Sequence, residues 1–112
     1  AQPSAADEVR LVLSTAPDRA CAEELAQALV ESRLAACVSI LPDVTSVYRW
    51  EGTVERASEL MLVVKTRAAS LPALERFLAE RHPYSCPEQV ALAPREVEAR
   101  YRAWLLAQTD GA

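Results

Sequence analysis

"ELMLVVKT", residues 59–66, is the stretch that decides the fold, because apolar side chains alternate onto both of its faces. Successive side chains of a β-strand point to opposite sides. The two apolar sets are Leu60, Leu62 and Val64 on one face and Met61 and Val63 on the other. A strand of this kind is covered on both sides. A single layer of helices covers one side only, so we expect the second side to pack against further copies of the chain.

Strand and helix patterns alternate along the rest of the chain. Alternating apolar residues predict strands, and apolar residues three or four apart predict helices. The four predicted strands are residues 9–15, 35–41, 53–66 and 89–93, with the β-prone residues 45–50 forming a long hairpin with 53–66, and the predicted helices are residues 19–32, 70–83 and 95–108. This order is βαββαβ with a further helix. It predicts an α+β fold, the ferredoxin-like split βαβ arrangement with an antiparallel sheet and both main helices on one face.

Particular residues set the predicted ends of these elements. Asp18 and Ser70 are the predicted N-caps of the first two helices. Pro42–Asp43 is predicted to close the second strand, and Glu51–Gly52 is predicted to turn a long hairpin. The third helix is predicted to bury one apolar stripe. That stripe consists of Val97, Tyr101, Trp104 and Leu105.

Length and composition predict a single soluble domain. A chain of 112 residues has room for one core, and we expect it to span residues 9–108, between a disordered segment 1–8 and a tail 109–112. The longest apolar run is too short to cross a membrane. The net charge of −4 argues against a nucleic-acid partner. Arg95, Arg100 and Arg102 are interleaved with acidic residues, which indicates a salt-bridged surface.

The three cysteines, at positions 21, 37 and 86, form no C-x-x-C motif. An odd number of widely spaced cysteines favours free thiols and a cytoplasmic location. The shortage of glycine excludes a P-loop and the dinucleotide-binding fingerprint, and no G-x-S-x-G is present. These absences leave nucleotide binding by other means open. No activated nucleophile or oriented general base is identified, so an enzyme using Lys65 and His82 ranks last, and we expect no organic cofactor and no enzymatic activity.

The segment "RHPYSCPE", residues 81–88, contains the only histidine. His82 and Cys86 are candidate ligands for Cu(I) or Zn(II), because an imidazole and a thiolate suit these metals. The simpler interpretation is a proline-rigid turn in which His82 ends a helix and Cys86 packs. Cys37 is expected to be a small buried side chain. Glu59 and Lys65 are too far apart on one strand to pair with each other, so each needs another partner.

Several short motifs together resemble the CutA family of divalent-cation tolerance proteins. The motifs are "TAPD" (15–18), "RLAACV" (33–38), "VYRWEG" (47–52), "VVKT" (63–66), "HPYSCPE" (82–88) and the pair Tyr101 and Trp104. They occur in order from about Val9 to Trp104. The resemblance implies a ferredoxin-like subunit in a tight homotrimer, similar in architecture to PII-type signalling proteins. It also implies a role in tolerance of copper and other divalent metals.

The resemblance also implies site residues. Those matching the cleft between subunits are Trp50, Glu59, Lys65, His82, Tyr84 and Glu88. Cys37 matches the family's characteristic cysteine, and under the hypothesis of a metal-binding trimer the predicted ligands are Cys37, His82 and Cys86. Ser14 stands where some members have a cysteine, which removes a possible thiolate ligand, whereas Cys86 adds one at a variable position. Two hypotheses remain: a trimer that binds copper or another divalent metal, and a PII-like module that binds a small anionic ligand near Lys65.

Overall fold

The computed structural model describes residues 8–110. Its strands are β1 (Val9–Ala16), β2 (Cys37–Trp50), β3 (Thr53–Arg67) and β4 (Val90–Leu92), and its helices are α1 (Arg19–Glu31), α2 (Leu71–Arg81) and α3 (Ala99–Gln108). The sheet has the strand order β2-β3-β1-β4, and every pairing is antiparallel. The predicted ferredoxin-like α+β fold is confirmed. Residues 1–7 of the predicted disordered segment, and residues 111–112 of the predicted tail, lie outside the described residues.

The core lies between one face of the sheet and the helices α1 and α2. From β1 and β3 it takes Val12, Ala16, Leu62 and Val64, and from the two helices it takes Ala22, Leu25, Leu29, Leu74 and Leu78. Leu62 and Val64 belong to the apolar set that the sequence assigns to one face of "ELMLVVKT". Asp18 caps α1 as predicted, because its Oδ1 accepts a 2.8 Å hydrogen bond from the Cys21 amide.

Ser14 stands out among the residues of the sheet. It lies on β1, between Val12 and Ala16, and its side chain is buried. Within the part of the chain that the structure describes, its hydroxyl has no hydrogen-bond partner. An unpaired hydroxyl in a buried position costs stability.

The β2–β3 hairpin extends well past the rest of the sheet. Strand β1 pairs with β3 only as far as Ala16 and Leu60, so residues 44–58, the hairpin arm, form a two-stranded ribbon. The arm contributes to the elongated shape, whose principal extents are 51 × 26 × 23 Å. Glu51 and Gly52 turn it with φ angles of 50° and 82°, the positive values of a type I′ turn. An isolated two-stranded ribbon is only marginally stable in water.

Two predicted boundaries and one predicted capping hydrogen bond are wrong. Pro42–Asp43 does not close β2 but forms a bulge inside it, where two residues oppose one on β3 and Asp43 has a φ of 60°. Ser70 makes no capping hydrogen bond through its side chain, because it ends a 3₁₀ turn that leads directly into α2. Helix α3 begins at Ala99 rather than at residue 95, and Glu98 caps it by accepting from the Tyr101 amide at 2.7 Å.

Helix α3 covers one corner of the second face of the sheet. Leu105 is buried against Val9 and Ala36, and Arg67 on β3 donates hydrogen bonds to Thr109 and to the Leu106 carbonyl. The prediction of one buried apolar stripe is wrong for Tyr101 and Trp104. Both side chains are more than two-fifths exposed, and their rings contact each other in a tilted arrangement with centroids 5.5 Å apart.

The remainder of the second face is mainly apolar and uncovered within the described chain. We call it the open face; the paired register places on it Leu11, Leu13, Leu41, Met61, Val63, Val90 and Leu92. Leu41, Val90 and Leu92 are each 44–47% exposed. Helix α3 is therefore not the second covering layer that the two-sided strand requires. No helix between residues 8 and 110 is long and apolar enough to cross a membrane.

Candidate functional site

A buried polar network joins the middle of the central strand β3 to the turn that follows α2. Glu59 on β3 is 8% exposed and His82 is 7% exposed. The Tyr84 hydroxyl donates a 2.6 Å hydrogen bond to Glu59 Oε2. The rings of His82 and Tyr84 contact each other with centroids 4.7 Å apart. Three of the six predicted cleft residues are therefore brought together.

The hydrogen bonds of His82 occupy both nitrogens of its ring. The Tyr84 amide donates to Nδ1 at 3.0 Å, so Nδ1 is the acceptor and Nε2 carries the proton in the neutral ring. Nε2 then donates to the Thr15 carbonyl at 2.7 Å. The His82 backbone amide ends α2 by donating to the Leu78 carbonyl. The hydrogen bonds of His82 thus join the end of α2 to the end of β1. Binding a metal through the ring would require one of its two hydrogen bonds to break.

The same contacts set the acidity of the network. Burial by itself would raise the pKa of Glu59, but hydrogen bonds from Tyr84, Ser46 and Thr15 outweigh it and lower the pKa. The pKa of Tyr84 is raised, first by burial and then by its hydrogen bond to the Glu59 carboxylate and the charge of that group. The network therefore holds a carboxylate and a neutral phenol in place near neutral pH.

A second polar group lies on the open face beside α3. Cys37 on β2 is directly opposite Lys65 on β3, and the Lys65 ammonium lies 3.7 Å from Cys37 Sγ. The same ammonium donates a hydrogen bond to the Ser39 hydroxyl. Cys37 and Lys65 are both partly buried. Glu59 and Lys65 do not pair with each other, as the spacing along the strand predicts.

The other predicted site residues lie at the surface. Trp50, at the end of the hairpin arm, is 47% exposed. Cys86 and Glu88, in the turn after α2, are both exposed. The simpler sequence interpretation, in which Cys86 packs, is wrong: Cys86 is a free, exposed thiol.

The predicted metal ligands do not form a metal site within one chain. Among residues 8–110, no group of three or more histidine, cysteine, aspartate or glutamate side chains is arranged to hold a metal ion. His82 uses both ring nitrogens, and the thiol of Cys37 lies beside an ammonium group. Of the three predicted ligands, only Cys86 is exposed, and its side chain makes no hydrogen bond with any of the described residues. A site with several ligands would need side chains from more than one copy.

Sequence reasoning missed the residues that complete these two groups. Thr15 and Ser46 add hydrogen bonds to Glu59, and Ser39 accepts from Lys65. Thr15 lies within the "TAPD" motif, so that motif could have identified it as a site residue. Ser39 and Ser46 are single serines in β-strands and carry no pattern of their own.

Comparison with known proteins identifies the family. The family model described as the CutA1 divalent ion tolerance protein matches residues 10–108. The chain belongs to the CutA1 family. The "Divalent-cation tolerance protein CutA" of Thermus thermophilus is 46% identical over 99 residues, which cover 88% of this chain and 96% of the relative. The protein of that name from Pectobacterium atrosepticum is 43% identical over 95 residues, covering 85% of this chain and 86% of the relative.

Solved structures of CutA1 proteins share the fold described above. The crystal structure of CutA1 from Oryza sativa superposes with a TM-score of 0.91 at 35% sequence identity, covering 97% of this chain and all of the rice chain. The whole arrangement of four strands and three helices is therefore that of the CutA1 family. The shared fold includes α3. The periodicity of the sequence predicted a helix there, but not where it packs on the sheet.

Proposed function

We propose that the protein acts in tolerance of divalent metal ions as a homotrimer that binds copper, or another thiophilic metal, between its subunits. The family supports the role in tolerance. The exposed, unpartnered thiol of Cys86 is the observation that carries the metal-binding part. Soft thiolate ligands select Cu(I), Zn(II) and similar ions. The proposal assigns the protein no chemical reaction.

The open face and the hairpin arm support self-association. The arm exposes Val47 and Val54 at 58% and 60%, and the open face adds a continuous apolar area at the centre of the sheet. Apolar surface of this kind on a stable domain is typical of an interface. A closed, symmetric assembly of identical subunits would cover every copy of the face equally. In such an assembly each Cys86 has counterparts on the other subunits.

Native mass spectrometry under reducing conditions tests both parts. We expect a trimer that takes up Cu(I) in stoichiometric steps, with Zn(II) titrated as the harder comparison ion. Cys86→Ala should abolish uptake and leave the trimer intact. Because thiolate ligands must lose their protons, the metal affinity should also fall as the pH is lowered.

Cys21→Ala is the matched control. The pKa of Cys21 is raised by burial and then by the nearby carboxylates of Asp18 and Glu24, so this thiol is a poor ligand and its loss should leave uptake unchanged. Equal uptake by Cys86→Ala and wild type would remove Cys86 from the site. A monomer at micromolar concentration would refute the assembly.

A second candidate function is the binding of a small anionic ligand near Lys65. Within residues 8–110 the Lys65 ammonium contacts a hydroxyl and a thiol, Ser39 and Cys37, and no carboxylate. Its charge is therefore not neutralised by an acidic partner in its own chain. Lys65→Met should reduce thermal stabilisation by anionic ligands while the trimer persists, and Lys65→Arg should lose less of it. If no anion in a broad screen stabilises the wild type, this function loses its support.

We also propose a cytoplasmic location, on the ground of the three free cysteines. Cell fractionation followed by thiol labelling tests it. Recovery of the protein in an oxidising compartment, with its thiols blocked, would contradict the proposal.

A further inference from the structure

A cleft lined by basic side chains lies at the end of the sheet opposite the hairpin arm. Its volume is about 280 Å³, and it lies between the start of β1, the segment after β4 and helix α3. Its lining residues are Glu8, Val9, Arg10, Ala93, Pro94, Arg95, Val97 and Arg102. The cleft forms where β4 leaves the sheet, since Leu92 is the last residue of β4 and pairs with Leu11. It shares no residue with the network around Glu59 or with the group around Lys65.

The charge of the cleft is opposite to that of the whole protein. Three guanidinium groups and one carboxylate line it, which gives a local charge of +2 in a chain of net charge −4. The side chain of Arg10 is 19% exposed. It donates to the Val9 carbonyl at 2.9 Å and to Glu8 at 3.1 Å, which leaves some of its five N–H donors for another acceptor.

The two arginines of the C-terminal region differ from their neighbour Arg100. Arg100 is 95% exposed and donates to Glu98 at 2.9 Å, as the predicted salt-bridged surface requires. Arg95 and Arg102 line the cleft instead, and Arg102 is partly buried. Among the residues that the structure describes, no carboxylate or carbonyl oxygen accepts a hydrogen bond from the side chain of either. The expected salt-bridged surface is therefore wrong for two of the three arginines.

We propose that this cleft binds a small anion through a phosphate group. Guanidinium groups bind phosphate oxygens in pairs through parallel N–H donors. A phosphate monoester carries a charge of about −1.5 to −2 near neutral pH, which matches the local charge of +2. The volume is close to the lower end of small-molecule pockets, about 300 Å³. The cleft thus has space for a phosphate group and a small organic substituent, and it lies within one subunit.

Titration of the ¹⁵N-labelled protein, followed by NMR, tests the proposal. Inorganic phosphate, glycerol phosphate and succinate are added at matched ionic strength, with chloride as the reference. We expect saturable shifts at the amides of Val9, Arg10, Ala93 and Arg95 with both phosphates. Binding of the two phosphates with equal affinity would assign recognition to the phosphate group alone. Tighter binding of glycerol phosphate would show that the substituent also contributes.

The variants Arg95→Gln and Arg102→Gln should each weaken phosphate binding about tenfold, because each removes a charged donor to the anion. Arg100→Gln is the matched control. It removes the same charge from the same region outside the cleft, and it should leave the affinity unchanged. Thermal unfolding of each variant confirms that the fold is retained. The proposal is overturned if no shift saturates, if succinate binds more tightly than phosphate, or if Arg100→Gln weakens binding as much as the other two.

Discussion

The hydrogen bond between Tyr84 and Glu59 makes a quantitative prediction for Tyr84→Phe. The substitution keeps the ring and its contact with His82 and removes only the hydroxyl that donates at 2.6 Å to a carboxylate that is 8% exposed. A hydrogen bond to a charged group contributes about 1.5–3 kcal/mol. Because Ser46 and Thr15 still donate to Glu59, we expect the free energy of unfolding to fall by about 2 kcal/mol at neutral pH.

The loss of stability caused by Tyr84→Phe should also depend on pH, which gives a second, independent test. The pKa of Glu59 is lowered in the folded protein. Its contribution to stability is therefore present above the pKa of the unfolded chain and is lost as the pH falls through the folded pKa. Tyr84→Phe removes one of the bonds that lower this pKa, so the difference in stability between wild type and variant should shrink in acid. Glu59→Gln, which cannot ionise, should flatten this part of the stability profile.

Urea unfolding at several pH values, followed by tryptophan fluorescence, measures these effects. All proteins are compared at one concentration, because self-association makes apparent stability depend on concentration. At neutral pH the expected loss corresponds to a lowering of Tm by roughly 6–12 °C. The double variant Tyr84→Phe/Glu59→Gln should show a coupling energy of at least about 1 kcal/mol. A loss below about 0.5 kcal/mol, or one that does not change with pH, would refute the assignment of this bond.

Substitutions at four further positions test the fold, each by urea or thermal unfolding. Ser14→Ala should raise the free energy of unfolding by about 1 kcal/mol, because it removes a buried hydroxyl without a partner among the described residues; a decrease would show that the hydroxyl is paired. Leu62→Ala, at the centre of the core, should lower the free energy of unfolding by about 2–5 kcal/mol. A smaller loss would mean that neighbouring side chains move to fill the cavity. Asp18→Ala removes the cap of α1 and should cost about 1 kcal/mol, whereas Asp18→Asn should restore most of it. Gly52→Ala meets no neighbouring atom but holds a φ of +82°, so we expect a cost of about 1–2 kcal/mol from the backbone alone, and an unchanged stability would contradict the type I′ turn.

Periodicity predicted the order of the elements because the hydrophobic pattern is a local property. The burial of Leu62 and Val64 follows from the direction in which alternate side chains of a strand point. The cap at Asp18 follows from one hydrogen bond between residues three apart in the chain. Pro42–Asp43 misled the prediction because a turn signal and a bulge have the same residue preferences. Only the pairing of β2 with β3 decides between a turn and a bulge at Pro42–Asp43, and the paired residues of β3 lie well outside the local sequence.

Three members of the buried polar network were predicted, but their contacts were not. Glu59, His82 and Tyr84 were selected through the resemblance to the family, and the structure places them in one network. The role of His82 was not predictable, since its ring partners are the backbone groups of Thr15 and Tyr84. Every residue has a backbone carbonyl and every residue except proline has a backbone N–H, so no motif marks them.

The sequence by itself therefore determined the α+β fold, the two-sided central strand and the family to which the chain belongs. These depend on the alternation of apolar residues and on short motifs, which are readable without coordinates. Only the tertiary structure decided that Arg95 and Arg102 share a cleft with Arg10, that Cys86 is exposed, and that α3 leaves most of the open face uncovered. Each of these depends on residues distant in the chain meeting in space, and local patterns carry no information on which of them meet.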